Sequence, residues 1–488
     1  MNLQKLSKMK LLLSFLFILF FYWANAEVKL PQILSSDMVI QRNSEIKIWG
    51  WANQGELVKV TFNNQSRRVK TAKDGKWFVL FPAMKEGGPY EMLIAGKKNT
   101  ISLTNIMIGD VWLLSGQSNM EVTVAKSNYP EIEIKNANYP NIRLLTIGNK
   151  AQLTPAEDVA PTDWKICSPE NIPGFSGVGY FFGRKLHQET NLPIGLILSA
   201  WGGTFAEPWT AEDCLDKYPD IKQQINDLKN TSIRNNNSVQ EVDSTKLITL
   251  DKDKPAQLFN GMIYPLINLK ITGVAWYQGE KNSKRASTYK EIFPNLIYCW
   301  RKYWQNADMP FLYVQLANWR YPKAEPEDHP WSEIRDAQLK TLSLPNTGMA
   351  VAIDIGDPED IHPKNKQDVG LRLALNALKM VYGRDIVCQG PIYKSMEIKG
   401  NKVVLDFDHK GSGLVAKDKY GYLKGFAIAG NDNKYYWAKA EISDNKVVVY
   451  SPKVPSPTSV QYGWAQNPDD VNLYNIEGLP ASPFRTNP

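Results

Sequence analysis

Cysteine and histidine are the scarce residues of this chain, four of each in 488 positions. Cys167, Cys214, Cys299 and Cys388 are too sparse for a disulfide-stapled scaffold, and their spacing matches no zinc site. They allow three pairings, and nothing in the sequence chooses among them. With four histidines, any chemistry that needs an imidazole base has few candidates. Charge of one sign is also in short supply: 57 Lys and Arg face 50 Asp and Glu, a formal +7. So small a surplus gives no electrostatic footprint for nucleic acid. After residue 26 no run is long and apolar enough to span a bilayer, which argues against stable membrane insertion. No feature of the sequence sets an oligomeric state.

The N-terminus has the makeup of a signal peptide. Lys5, Lys8 and Lys10 precede the apolar stretch Leu11 to Trp23, and Ala24-Asn25-Ala26 makes a small-residue cleavage site before Glu27. The apolar run is short for a membrane anchor, and no Cys near the site offers a lipid attachment. Cleavage near Ala26 removes three Lys and no acid, so the net charge falls from +7 to +4. The expectation is an exported protein, periplasmic or secreted. Its 15 Trp and 22 Tyr are compatible with sugar stacking, although buried core is the commoner use.

The remaining length suits two or three domains. Residues 27–105 read as a β-sandwich: Ile46-Lys47-Ile48-Trp49 and Leu57-Val58-Lys59-Val60 alternate, with turn signals between the runs. From 106 to 385 strand-like runs alternate with helical ones. Ile194–Ala200, Ile271–Tyr277, Pro310–Leu316 and Met349–Ile353 are strand candidates; Val178–Gln188, Thr288–Trp304 and Ile334–Leu342 are helical. This is the pattern of a mainly parallel sheet with helices on both faces. Residues 220–256, rich in Asn, Asp, Lys and Ser, read as an exposed excursion. Strands return in 386–488 as a C-terminal β module, including Lys402–Phe407 and Lys446–Tyr450.

The most informative segment is Gly109 to Met120, GDVWLLSGQSNM. A buried-strand run ends abruptly in small and amide side chains, which suits a ligand-facing turn at the carboxyl end of a strand. Ser118 there, near a helix start, is well placed for a nucleophile and its oxyanion site. A Ser/Asn helix cap without chemistry is the commoner use of such residues. Of the four histidines, His187 lies in a helical pattern, His409 in the C-terminal β region and His329 in an acidic run. His362 follows a predicted strand, among Asp354, Asp357, Glu359 and Asp360, where a carboxylate can orient an imidazole base. Two further polar strand ends offer oxyanion donors: Ala200-Trp201-Gly202-Gly203-Thr204 through backbone N–H, and Gln278-Gly279-Glu280-Lys281-Asn282 through a side-chain amide.

SGQSNM, WGGTFAEPW, WYQGEKN and Asp360-Ile361-His362-Pro363-Lys364-Asn365-Lys366, in that order, resemble the sialate O-acetylesterase family. Phe259-Asn260-Gly261-Met262-Ile263 and the closing Gly478 to Arg485 fit it as well. The resemblance implies an SGNH-type, flavodoxin-like α/β fold, a three-layer α/β/α esterase domain flanked by the two β modules. It implies Ser118 as nucleophile and His362 as base, with oxyanion donors from Ser118 N–H, Gly202 or Gly203, and the amide of Gln278 or Asn282. One departure concerns the third member: the superfamily commonly has Asp three residues before the His, where this chain has Glu359, while Asp360 is two before. Glu359 with its longer arm, Asp360 from a different turn geometry, or a Ser-His dyad would each complete the set; Asp360 is preferred, since sequences resembling this block tend to carry Asp there. The implied function is a carbohydrate O-acetylesterase acting on sialic acid, needing no metal or organic cofactor. Acetylated xylan is the alternative substrate, and a non-catalytic carbohydrate-binding protein the alternative class.

Overall fold

A computed structural model of the chain describes residues 27–237 and 251–486. The expected signal peptide lies outside these residues, as does part of the polar excursion. The described residues fall into two compact units. The first holds 27–31, 47–81 and 90–104, and the second holds 32–46, 82–89 and everything from 105 onward.

In the first unit, alternation becomes strand structure. Leu57–Phe62 pairs antiparallel with Gln65–Lys70 through Asn63-Asn64, both at positive φ (45° and 58°), the backbone a tight hairpin turn requires. Ile46–Trp51 pairs with Lys76–Phe81. Val58, Val60, Phe62, Trp77, Val79 and Phe81 point inward and are buried.

The second unit is mixed α/β around a central sheet. Its strands are β1 (Thr100–Gly116, of which residues 105 onward belong here), β2 (Tyr139–Thr146), β3 (Lys165–Cys167), β4 (Ile194–Ala200), β5 (Gly273–Tyr277), β6 (Phe311–Gln315) and β7 (Thr347–Val351). They lie in the order β7-β6-β5-β1-β4-β2-β3, parallel except for the β2–β3 pair. The chain fills one side of β1 first and then crosses to the other, so the order reverses at β1. Ligand sites favour the carboxyl ends of strands at such a reversal.

Among the helices of the described residues, four bear on the sheet and site: α1 (Gly177–Thr190), α2 (Ala286–Tyr303), α3 (Pro330–Lys340) and α4 (Lys366–Met380). Trp112 on β1 is level with Gly273 on β5 and packs edge-on against Phe182 of α1 at 5.0 Å. Trp276, three residues past Gly273, faces the other way and meets Phe293 and Trp300 of α2. All three Trp side chains are fully buried. Burial of that apolar area contributes about 4–6 kcal/mol each before the entropy of ordering. α3 begins earlier than the expected Ile334, because the His329 ring accepts from Trp331 N–H and Pro330 takes the first helical position. β7 ends at Val351 rather than Ile353, where its pairing with Gln315 stops.

Beyond α4, Ile392–Lys399, Lys402–Asp408, Lys446–Tyr450 and Lys439–Ser443 form an antiparallel sheet. The closing motif is structural: Ser482 bonds Gln315 on β6. Tyr474 donates to Asp354, which also takes a bidentate grip from Arg372 on α4 at 2.6 and 2.8 Å. These bonds fasten the segment leaving β7, the one that carries His362. All four cysteines are free thiols.

Candidate active site

The turn after β1 is built on a residue that must be glycine. Gly116 has φ +132°, and a Cβ there would lie 2.2 Å from the Tyr277 carbonyl oxygen. Gln117 N–H donates to that carbonyl at 3.0 Å, and the short helix Ser118–Glu121 starts at once. Ser118 therefore sits at the carboxyl end of β1.

His362 arrives from the segment after β7, 244 residues away in sequence, and its Nε2 lies 2.8 Å from Ser118 Oγ. Asp360 accepts from His362 twice through Oδ1: from the backbone N–H at 2.9 Å and facing the ring Nδ1 at 3.2 Å. The carboxylate thus fixes both the turn and the ring. Glu359 points elsewhere, accepting from the Tyr321 hydroxyl at 2.8 Å. The other histidines stay apart from this pair in role: His329 caps α3, and His187 Nδ1 bonds the Leu192 carbonyl at 2.7 Å.

The Gly202 loop closes against Ser118. A Cβ on Gly202 would meet Ser118 Cβ at 3.2 Å and Glu121 Oε2 at 2.9 Å, so the loop backbone approaches Ser118 closely. The Gly202 N–H donates to the Glu121 carboxylate, and Lys252 Nζ donates to the Gly202 carbonyl at 2.6 Å. Burial pushes the Glu121 carboxyl above its ordinary range, against the Gly202 bond and Lys252, which favour its charged form. Gly203 takes the left-handed conformation at φ +69°.

The amide block is engaged with the loop that follows the glycines. Gln278 Nε2 donates to the Thr204 carbonyl at 3.1 Å and to Asn282 Oδ1 at 2.7 Å. Asn282 Nδ2 donates to Glu207 at 3.1 Å, and its Oδ1 also accepts from Ala206 N–H at 3.0 Å. Both amides are buried and committed to the Thr204–Glu207 loop. These bonds brace the glycine loop, whose buried polar groups must be satisfied.

Beneath Ser118 lies a polar cluster that sequence reasoning missed. Asn119 Nδ2 donates to Glu280 Oε1 at 2.6 Å and to the Ile361 carbonyl at 3.0 Å, while its Oδ1 accepts from Lys366 Nζ at 2.6 Å. Burial pushes the Lys366 ammonium down to about 7, against the pull of Glu280 and Asp360. Burial likewise raises the Glu280 carboxyl, against hydrogen bonds from its own backbone and Asn119 and the fields of Lys366 and His362. The available signal was position: Glu280 and Lys366 lie inside two of the four sequence blocks. No group of three or more His, Cys, Asp or Glu among the described residues is arranged to hold a metal ion.

A family model described as carbohydrate esterase, sialic acid-specific acetylesterase, matches residues 108–238 and 249–379, more than half of the chain. The chain belongs to this family. It is thus an esterase of acetylated carbohydrates. The sialate O-acetylesterase of Pongo abelii is 30% identical over 92% of this chain and 91% of its own length, and that of Homo sapiens is 29% identical with the same coverage. The crystal structure of a carbohydrate acetylesterase from Xanthomonas citri superposes with a TM-score of 0.85 at 37% identity, covering 94% of this chain and all of that one. None of the described helices is long and apolar enough to cross a membrane.

Proposed function

We propose that this chain removes O-acetyl groups from sialic acid through a serine acyl-enzyme. Ser118 Oγ attacks the acetyl carbonyl carbon, and His362 Nε2 takes its proton. The C–O bond to the sugar then breaks, and His362 returns the proton to the leaving sugar oxygen. Water, deprotonated by His362, releases acetate and regenerates Ser118. Asp360 holds the imidazole and balances its charge as the proton arrives. The oxyanion faces Ser118 N–H and the Gly202–Gly203 turn, where it replaces the Glu121 carboxylate at the Gly202 N–H. The single observation carrying this reading is the 2.8 Å contact between Ser118 Oγ and His362 Nε2. It makes a nucleophile and base within hydrogen-bond reach, with the base held by a third group.

The central parallel sheet, with the nucleophile after β1 and the histidine after β7, supports an SGNH-type three-layer esterase domain. The signal-peptide pattern of residues 1–26 supports export, and a mature N-terminus at Glu27 would establish it. The relatives' names support sialic acid as the sugar. Acetylated xylan stands as a second reading, because every contact described above acts on the acetyl group and none on the sugar. Acetate release from O-acetylated sialic acid and from acetylated xylo-oligosaccharides, measured on one preparation, separates the two. Ser118→Ala must abolish both activities; hydrolysis surviving near the parent rate would refute the mechanism.

A further inference from the structure

We propose that Tyr129 is the platform on which the sugar ring stacks while its acetyl ester lies against Ser118. This rests on the acetylesterase reading above and deepens it. Tyr129 lines the same cleft, about 790 Å³ in volume, as Ser118, Glu121 and His362. Its side chain is the conspicuous aromatic there, and the residue is 71% exposed. Its backbone is left-handed, φ 53° and ψ 47°, a region bulky residues rarely adopt. Pro130 follows and restricts that backbone further.

Two costs therefore fall on one residue, a strained backbone and an apolar ring left in water, and burial of the ring offsets neither. Such outliers persist where the surroundings over-determine them. Here they do. Asn128 N–H donates to the Lys364 carbonyl at 2.9 Å, and Gln367 Nε2 donates to the Asn128 carbonyl at 2.6 Å. Ser127 Oγ returns to the Thr123 carbonyl at 3.1 Å. The residue before Tyr129 is thus latched to the segment two residues beyond His362. That latch sets the distance between ring and catalytic pair, which a surface tyrosine of no consequence would not need. An aromatic face held beside an acetyl-transfer site matches the apolar C–H face of a pyranose, and the hydroxyls at the sugar's edge remain in water.

The test compares the parent with Tyr129→Ala, Tyr129→Asn and Tyr129→Phe on two substrates, an O-acetylated sugar and ethyl acetate, which has no ring to stack. The O-acetylated sugar is sialic acid in one arm and xylotriose in the other. The expected result is a fall of about 3- to 10-fold in the sugar-to-ethyl acetate ratio of kcat/KM for Ala and Asn, carried by KM. Phe should keep the parent ratio. Asn tolerates the left-handed backbone, so its result is independent of any misfolding in Ala. A ratio unchanged in both Ala and Asn overturns the proposal, as does a Phe variant that behaves like Ala. Ser118→Ala on ethyl acetate tests the underlying reading separately: if its activity survives while the Tyr129 ratio falls, the mechanism fails and the platform stands.

Discussion

Removing the Asp360 carboxylate tests how much of the proposed catalysis rests on an exposed partner. Asp360 Oδ1 lies 3.2 Å from His362 Nδ1, and the two side chains are 52% and 37% exposed. The imidazolium forms only as Ser118 loses its proton, so the pair acts on the transition state and appears in kcat. At this separation Coulomb attraction is about 1.3 kcal/mol at the dielectric of water and about 5 kcal/mol at an effective value near 20. Half-exposure puts the pair toward the watery limit, and exposed pairs measure about 0.2–1 kcal/mol. Loss of the hydrogen bond that orients the ring adds about 1 kcal/mol. The expected cost of Asp360→Ala is therefore about 1–3 kcal/mol, about 5- to 150-fold in kcat/KM on an acetyl ester. Initial rates at low and high salt measure it, and the gap between variant and parent should narrow as salt screens the pair. Glu359→Ala should stay within about two-fold of the parent, since that carboxylate bonds Tyr321. A loss of about 10⁴-fold in Asp360→Ala would require a buried, dry carboxylate and would refute this electrostatic reasoning. So would a larger loss for Glu359→Ala than for Asp360→Ala.

Gly116→Ala sets a Cβ against the Tyr277 carbonyl at 2.2 Å in a left-handed backbone; thermal unfolding should show a loss of at least about 2 kcal/mol and acetyl hydrolysis should collapse with it. Asn282→Ala should lower Tm by stranding Ala206 N–H and Glu207, at about 1–3 kcal/mol. An unchanged Tm with kcat reduced about 10²- to 10³-fold would instead mark it as an oxyanion donor. Lys366 is pushed down to about 7 when folded, below its unfolded value, so the unfolded chain binds more protons between the two and stability rises with pH across that window. Urea unfolding at pH 7 and 9 should show a gain of about 2 kcal/mol that Lys366→Met removes, and an equal gain in the variant would contradict the assignment.

The pairing of Ser118 with His362 was legible because each is signalled by a rare event: a buried strand that ends in small polar residues, and one histidine of four that follows a strand among carboxylates. The choice between Asp360 and Glu359 was not, because adjacent acids differ only in where the turn sends them. The turn is decided by Asp360 bonding the N–H two residues on, a local preference of Asp that also aims its other neighbour outward. The bonds that the amides of Gln278 and Asn282 make within the protein were not legible for a related reason. A strand-end amide reads as a ligand donor, and only the fold reveals a loop whose own carbonyls and carboxylate claim it first.

Glu280 and Lys366 were hidden by the rule that charged side chains face water. That rule fails here, and the failure bears on the site. Two buried charged residues bridged by an amide are often no more stabilising than apolar side chains of the same size, so stability is a weak reason to keep them. Orientation is a better one. Asn119, next to Ser118, has its oxygen claimed by Lys366 and its two amide hydrogens claimed by Glu280 and the Ile361 carbonyl. Those three bonds leave the amide one orientation. They tie the residue after Ser118 to the residue before His362, so Ser118 and His362, 244 residues apart, share one set of hydrogen bonds. An apolar replacement could fill the same volume and could not hold that peptide.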